Sequence, residues 1–190
     1  MSTRRLSQAI AEGAGISLLL ELDDRRPTAA GSLGAEGVVV RGAVLGHGVS
    51  ELPVLAYSST PDEAAALGAD AVVVAADTDD DDLVTFADRA AELARELVVR
   101  ADDENDVARV LESIDPEIFL LAAGNDGDEE DGPLERLLGL LPDVPAGKLA
   151  IAELSDATRA DVEELERAGI DAVVVSGNID ELSGESVPDV

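Results

Sequence analysis

The chain has no cysteine and no tryptophan, and a single tyrosine, histidine and lysine among its 190 residues. Without cysteine there are no disulfides, no thiolate catalysis and no cysteine-based metal site. Aromatic residues make up only 2%. The core must therefore come from Ala, Val, Leu and Ile, and with 46% apolar residues there are enough of them for one folded domain. No uncharged apolar run reaches the roughly 18 residues of a membrane span. The opening MSTRRLSQAIAEGAG has two arginines but no long apolar stretch, so it does not read as a signal peptide, and a cytoplasmic location is expected. Positive charge is scarce: 13 basic residues against 42 acidic ones leave a formal charge of −29. Such a surface repels nucleic acid and anionic membrane, and neither is an expected partner. It suits a cell with molar internal salt, where charges are screened within about 3 Å at 1 M. An acidic protein from a GC-rich genome is the other reading. There is no P-loop, no Gly-x-Gly-x-x-Gly and no specific metal motif, so neither cofactor nor metal is expected. The lone His47 lies in a glycine-rich segment and reads as a loop residue rather than a catalytic one.

What is present is repetition. GAEGVVV (34–40), GADAVVV (68–74) and GIDAVVV (169–175) share one design. A glycine closes the preceding segment, an acidic residue follows, and a β-branched apolar run ends the phrase. Glycine is the common residue just past a helix, where φ is positive. A short valine run fits a strand buried on both faces, as in a parallel sheet. The phrase reads as helix end followed by buried strand, and its recurrence implies repeated βα units.

Eight strands are expected: 16–22, 37–42, 52–58, 70–76, 96–101, 117–123, 148–154 and 171–177. Apolar residues at three- and four-residue steps predict helices over 82–97, 104–114 and 157–169, the last capped by Ser155 or Asp156 and stopped by Gly169. Eight alternating units predict an α/β fold, a single compact (β/α)8 TIM barrel over 1–190. A short helix in 1–15 should precede it, and a tail from 178 should fray. Units between Gly68 and Gly169 average about 25 residues, but those between Gly34 and Gly68 only about 17, near the minimum for a parallel crossover. The first-half helices should therefore be shortened, and GAVLGHGVSE (42–51) should not form a full helix. Two acidic runs, 77–83 and 125–132, follow strands and should lie at the C-terminal rim as solvated loops rather than cation sites.

Three stretches also carry a family resemblance: SLLLELDDRRPT (17–28), LPVLAY (52–57) and LAIAELSDATRADVEELERAGIDAVVV (149–175). Over about residues 5–180 the chain resembles indole-3-glycerol phosphate synthase, the ring-closing enzyme of tryptophan synthesis. The stretches fall on that family's first strand and loop, its third strand, and its strand seven, helix seven and strand eight. The resemblance implies a lyase site at the barrel mouth. In the family a lysine acid assists loss of the substrate's carbonyl oxygen, glutamates steer developing charge, and backbone amides near strands seven and eight hold phosphate.

By that resemblance Glu21 and Glu153 match the first- and seventh-strand glutamates, and Pro27-Thr28 approximates the first-loop Pro-Ser. Ser155, Ser176 and Gly177 fall at the phosphate positions. Asp23 replaces the first-strand lysine and Tyr57 the third-strand lysine acid. Arg100 stands near the fifth-strand glutamate, and Ala122-Ala123-Gly124 replaces Asn-Asn-Arg. Glu21, Glu153 and Tyr57 are the candidate catalytic residues. Loss of one catalytic acid costs about 10²–10⁴-fold, so a weak or inactive synthase is expected. The alternatives are a lyase or isomerase of altered chemistry on a small phosphorylated ligand, and a genuine synthase with displaced groups. Glu21 and Glu153 interrupt apolar strands, so each is a site residue, or half of an ion pair with Arg41 or Arg100, or both.

Overall fold

A computed structural model of the chain describes residues 5–13, 15–22, 34–42, 52–123 and 132–176, together with Ile179 and Leu182. Eight parallel strands close into one barrel in chain order. They are β1 (Ser17–Glu21), β2 (Gly37–Arg41), β3 (Val54–Tyr57), β4 (Ala71–Ala75), β5 (Glu96–Ala101), β6 (Ile118–Ala122), β7 (Leu149–Glu153) and β8 (Ala172–Val175). The helices are α1 (Leu6–Ala11), α2 (Pro61–Leu67), α3 (Asp80–Glu92), α4 (Glu104–Ser113), α5 (Pro133–Leu140) and α6 (Arg159–Ala168). The expected (β/α)8 barrel is the fold observed, with β1 hydrogen-bonded to β8 across the closure.

The repeated phrase has a second function besides ending helices. Gly68 and Gly169 cap α2 and α6 in the left-handed region, at φ 79° and 101°, where a side chain would be strained. The acidic residue two places on then clamps the preceding strand. Glu36 accepts the Leu18 N–H at 2.9 Å, Asp70 the Val54 N–H at 3.0 Å, and Asp171 the Ala150 N–H at 2.8 Å. Each clamp is reciprocal, because the backbone N–H of Glu36, Asp70 and Asp171 donates to the carbonyl of that same strand residue. The phrase thus sets the register of β2 on β1, β4 on β3 and β8 on β7 at the N-terminal face.

Strand alternation separates two apolar layers. One parity points inward and fills the barrel with Leu19, Val39, Leu55, Val73, Val98, Leu120, Ile151 and Val174. Leu6 and Ile10 of α1 join this cluster and close the N-terminal end. The other parity, including Val38, Val72, Phe119 and Val173, packs outward against Leu83, Val107, Leu137 and Leu165 of the helices. Gly37 sits at a close approach: a Cβ there would lie 2.8 Å from Leu19 Cδ2, so the buried Leu19 side chain would have to shift.

Each strand except β5 is one or two residues shorter at one or both ends than expected. The helix expected over 82–97 runs instead over Asp80–Glu92. It starts earlier because Asp80, Asp81 and Asp82 favour the positive end of the helix dipole. It ends earlier because Ala94, at φ 53°, turns the chain so that Glu96 can pair with Asp70 and open β5. Helix α6 is capped by Thr158, not by Ser155 or Asp156. Thr158 Oγ1 accepts the Asp161 N–H and the Asp161 carboxylate accepts the Thr158 N–H, a reciprocal box that neither earlier residue makes. Helix α2 is short, as expected of the first half. Residues 23–33 and 43–51, with His47 and most of the trimmed front, lie outside the described residues. Past β8, Ile179 is fully buried in the outer layer and Leu182 packs against that layer, while the rest of the tail expected to fray lies outside the described residues. Among the described residues no helix is long and apolar enough to cross a membrane.

Candidate functional site: the C-terminal mouth of the barrel

The inward parity that fills the barrel continues two residues further into polar side chains. After Leu19 comes Glu21, after Val39 Arg41, after Leu55 Tyr57, after Val98 Arg100, after Ile151 Glu153 and after Val174 Ser176. These six residues stand at or near the C-terminal ends of β1, β2, β3, β5, β7 and β8, at the end of a barrel where active sites are built.

Arg41 lies across this mouth. Its Nε donates to Glu21 Oε1 at 2.8 Å, and its Nη2 donates to Glu153 Oε1. Its guanidinium carbon sits 3.9 Å from the centroid of the Tyr57 ring, a cation–π stack. Arg100 Nε holds the other Glu153 oxygen at 2.9 Å, and its Nη1 reaches Asp102 Oδ2 at 2.7 Å. Ser176 Oγ donates to Glu21 Oε2 at 3.2 Å. The predicted pair Glu21 and Glu153 is therefore brought together, joined through one arginine. Both residues named as ion-pair partners, Arg41 and Arg100, serve as such. Their role as the cations of the mouth was not read from the sequence. The signal was there, since each follows an inward valine by two residues in GVVVR and ELVVR.

The electrostatics follow from depth. Glu153 has a side chain only 12% exposed. Burial works against its charge, but the Arg100 and Arg41 guanidinium groups outweigh burial and hold its pKa below the usual carboxylate range. Burial also opposes the Arg41 charge, and the Glu153 and Glu21 carboxylates act to restore it. The Tyr57 hydroxyl is buried without a hydrogen bond of ordinary geometry. Burial first, and then the nearby Glu153 carboxylate, pushes its pKa up, while Arg41 and Arg100 only partly offset them. Tyr57 is a neutral phenol at pH 7, and a weaker acid than free tyrosine.

The remaining candidates are placed as follows. Ser155 is exposed after β7, and its carbonyl accepts the Ser176 N–H at 3.0 Å. That N–H is thus already bonded within the chain. Gly177, Asp23, Pro27, Thr28 and Gly124 lie outside the described residues, as does most of the second acidic run. The first acidic run sits on the rim, residues 77–79 as a loop after β4 and residues 80–83 as the first turn of α3. Among the described residues no three His, Asp or Glu side chains converge as a metal site. A cavity of about 520 Å³ opens on the same rim, lined by Ser58, Thr60, Ala75, Thr78 and Arg89 among others.

No family profile matches the chain. Among curated proteins it is 33% identical over 132 residues to the indole-3-glycerol phosphate synthase of Variovorax paradoxus (strain S110), covering 66% of this chain and 48% of that protein. It is 30% identical over 129 residues to the same enzyme of Dichelobacter nodosus (strain VCS1703A), covering 66% and 47%. The chain spans about half the length of the curated relatives it matches. A solved 3-hexulose-6-phosphate synthase superposes with a TM-score of 0.69 at 16% identity, over 88% of this chain and 98% of that one. The N-acetylmannosamine-6-phosphate 2-epimerase from Clostridium perfringens gives 0.67 at 14% identity, over 87% and 88%. These structures share the fold: the chain is a (β/α)8-barrel protein.

Proposed function

We propose that this chain is a diverged relative of indole-3-glycerol phosphate synthase that binds a small phosphorylated ligand at its C-terminal mouth and has lost the family's rate of ring closure. The descent is supported by the two curated relatives, and the sequence resemblance of 17–28, 52–57 and 149–175 agrees with it. The sugar-phosphate enzymes that share the fold make a phosphorylated ligand the natural class. One observation carries the loss of rate. Tyr57 stands where the family has its lysine acid, and its buried phenol is held neutral with a raised pKa beneath Arg41. A proton donor so far from the working pH contributes little to general acid catalysis. The acidity of the chain fits a cytoplasm of high salt, and the ligand would be met there.

The test uses the purified chain in about 1 M KCl, where its own repulsion is screened. Incubated with the family's indole-forming substrate, it should release fluorescent product at least about 10²-fold more slowly than a family synthase assayed alongside. A rate equal to that enzyme's overturns the loss of activity. Indole-3-glycerol phosphate should raise the melting temperature. No shift with it or with related sugar phosphates contradicts the ligand site.

A further inference from the structure

Among the described residues, Arg41 is the one side chain in the mouth that contacts β1, β3 and β7 at once. Its guanidinium is a planar fork suited to carboxylate or phosphate oxygens. The two acceptors it now holds are not equivalent. Glu153 is 12% exposed and is gripped by Arg100 as well, so losing Arg41 would still leave it paired. Glu21 is 22% exposed, and besides Arg41 its described partner is the Ser176 hydroxyl. Arg41 itself is 40% exposed and open to an incoming group. We propose that Arg41 is the oxyanion-gripping, specificity-determining residue of the mouth, and that Glu21 acts as an internal anion which a ligand's carboxylate or phosphate must displace.

This rests on the reading of the mouth as a ligand site and adds to it which side chain selects the ligand and what the ligand competes with. The exchange needs no change in Glu153. Arg41 keeps its bond to Glu153 and its stack on Tyr57, while the Glu21 carboxylate swings off Nε and the ligand oxygen takes its place. Replacing the Glu21 carboxylate by an amide keeps the shape and removes the competing charge, so it should strengthen binding. A gain of that kind cannot come from misfolding.

The chain carries its own reporter. Tyr57 is the only tyrosine and there is no tryptophan, so near-ultraviolet emission comes from the ring under Arg41. Inorganic phosphate and oxalate, titrated separately in about 1 M KCl, distinguish a phosphate from a carboxylate source. A saturable change in Tyr57 emission is expected with at least one of them. Glu21→Gln should tighten that binding about tenfold, and Arg41→Gln should weaken it by at least as much, with Arg41→Lys recovering only part. Binding that leaves Glu21→Gln no tighter than the unmodified chain overturns the displacement while leaving the ligand site standing. Binding seen by melting temperature but unaffected by Arg41→Gln overturns the role of Arg41. If neither anion binds the unmodified chain or Glu21→Gln, this inference fails, and indole-3-glycerol phosphate then decides the ligand site separately.

Discussion

At the scale of single residues, Glu153 and Glu21 look alike in sequence and differ in the barrel. Glu153 satisfies two guanidinium groups from a largely buried position, whereas Glu21 shares one of them from nearer the surface. Removing one partner of a buried pair costs about 3–5 kcal/mol, and an exposed pair about 0.2–1 kcal/mol. Glu153→Ala should therefore lower the unfolding free energy several times more than Glu21→Ala, as measured by denaturant midpoints at pH 7. The Glu153 pKa is lowered in the folded chain, so its contribution is complete above the unfolded carboxylate value and fades as the pH falls through the lowered one. The difference between Glu153→Gln and the unmodified chain should accordingly shrink on acidification below about pH 4. Equal costs at Glu21 and Glu153 would mean that the two arginines do not converge on Glu153. Both carboxylates were legible in sequence because a charge inside LLLEL or AIAEL has to be answered by something. Arg41 and Arg100 were legible only as partners. That they lie across the mouth depends on which strands face one another around a closed ring, and local sequence does not state this.

At the scale of elements, the Gly-x-acidic phrase reads as a helix stop before a buried strand, which is what Gly68 and Gly169 form, while the segment before Gly34 lies outside the described residues; the acidic member had no assigned role. The structure supplies one: a carboxylate that holds an N–H in the first two residues of the neighbouring strand, in three of the strand pairs. A hydrogen bond to a charged group contributes about 1.5–3 kcal/mol, so Asp171→Ala should destabilise the barrel by that order. Asp171→Asn, which keeps an acceptor oxygen, should cost less. Chemical unfolding measures both, and a loss under about 0.5 kcal/mol for Asp171→Ala would show that the clamp is incidental. Where element boundaries were misjudged, side-chain capping and strand pairing decided them. Thr158 outcompetes Ser155 because Asp161 lies three residues on, at the place its box requires. Residues 96 and 97 belong to β5 rather than to α3 because they pair with Asp70 and Val72 of the β4 side.

At the scale of the whole molecule, eight strand-like runs at helix-length spacing were enough to name a closed barrel, since an open sheet would leave two edges for the same pattern to cover. The charge of −29 was equally plain, and its consequence is global. At low salt, self-repulsion acts against compaction, and added salt screens it. The mouth opposes that excess locally, since Arg41 and Arg100 stand among Glu21, Glu153 and Asp102 and bind them into one network around the ring. The sole tyrosine reads that network directly. A spectrophotometric titration of the phenol in about 1 M KCl should show Tyr57 ionising well above the ordinary value of about 10, because burial and the Glu153 charge both hold its proton. Glu153→Gln should bring that ionisation down. A phenol that titrates near 10 in the folded chain, unmoved by Glu153→Gln, would contradict the assembly of Arg41, Tyr57 and Glu153 at the mouth.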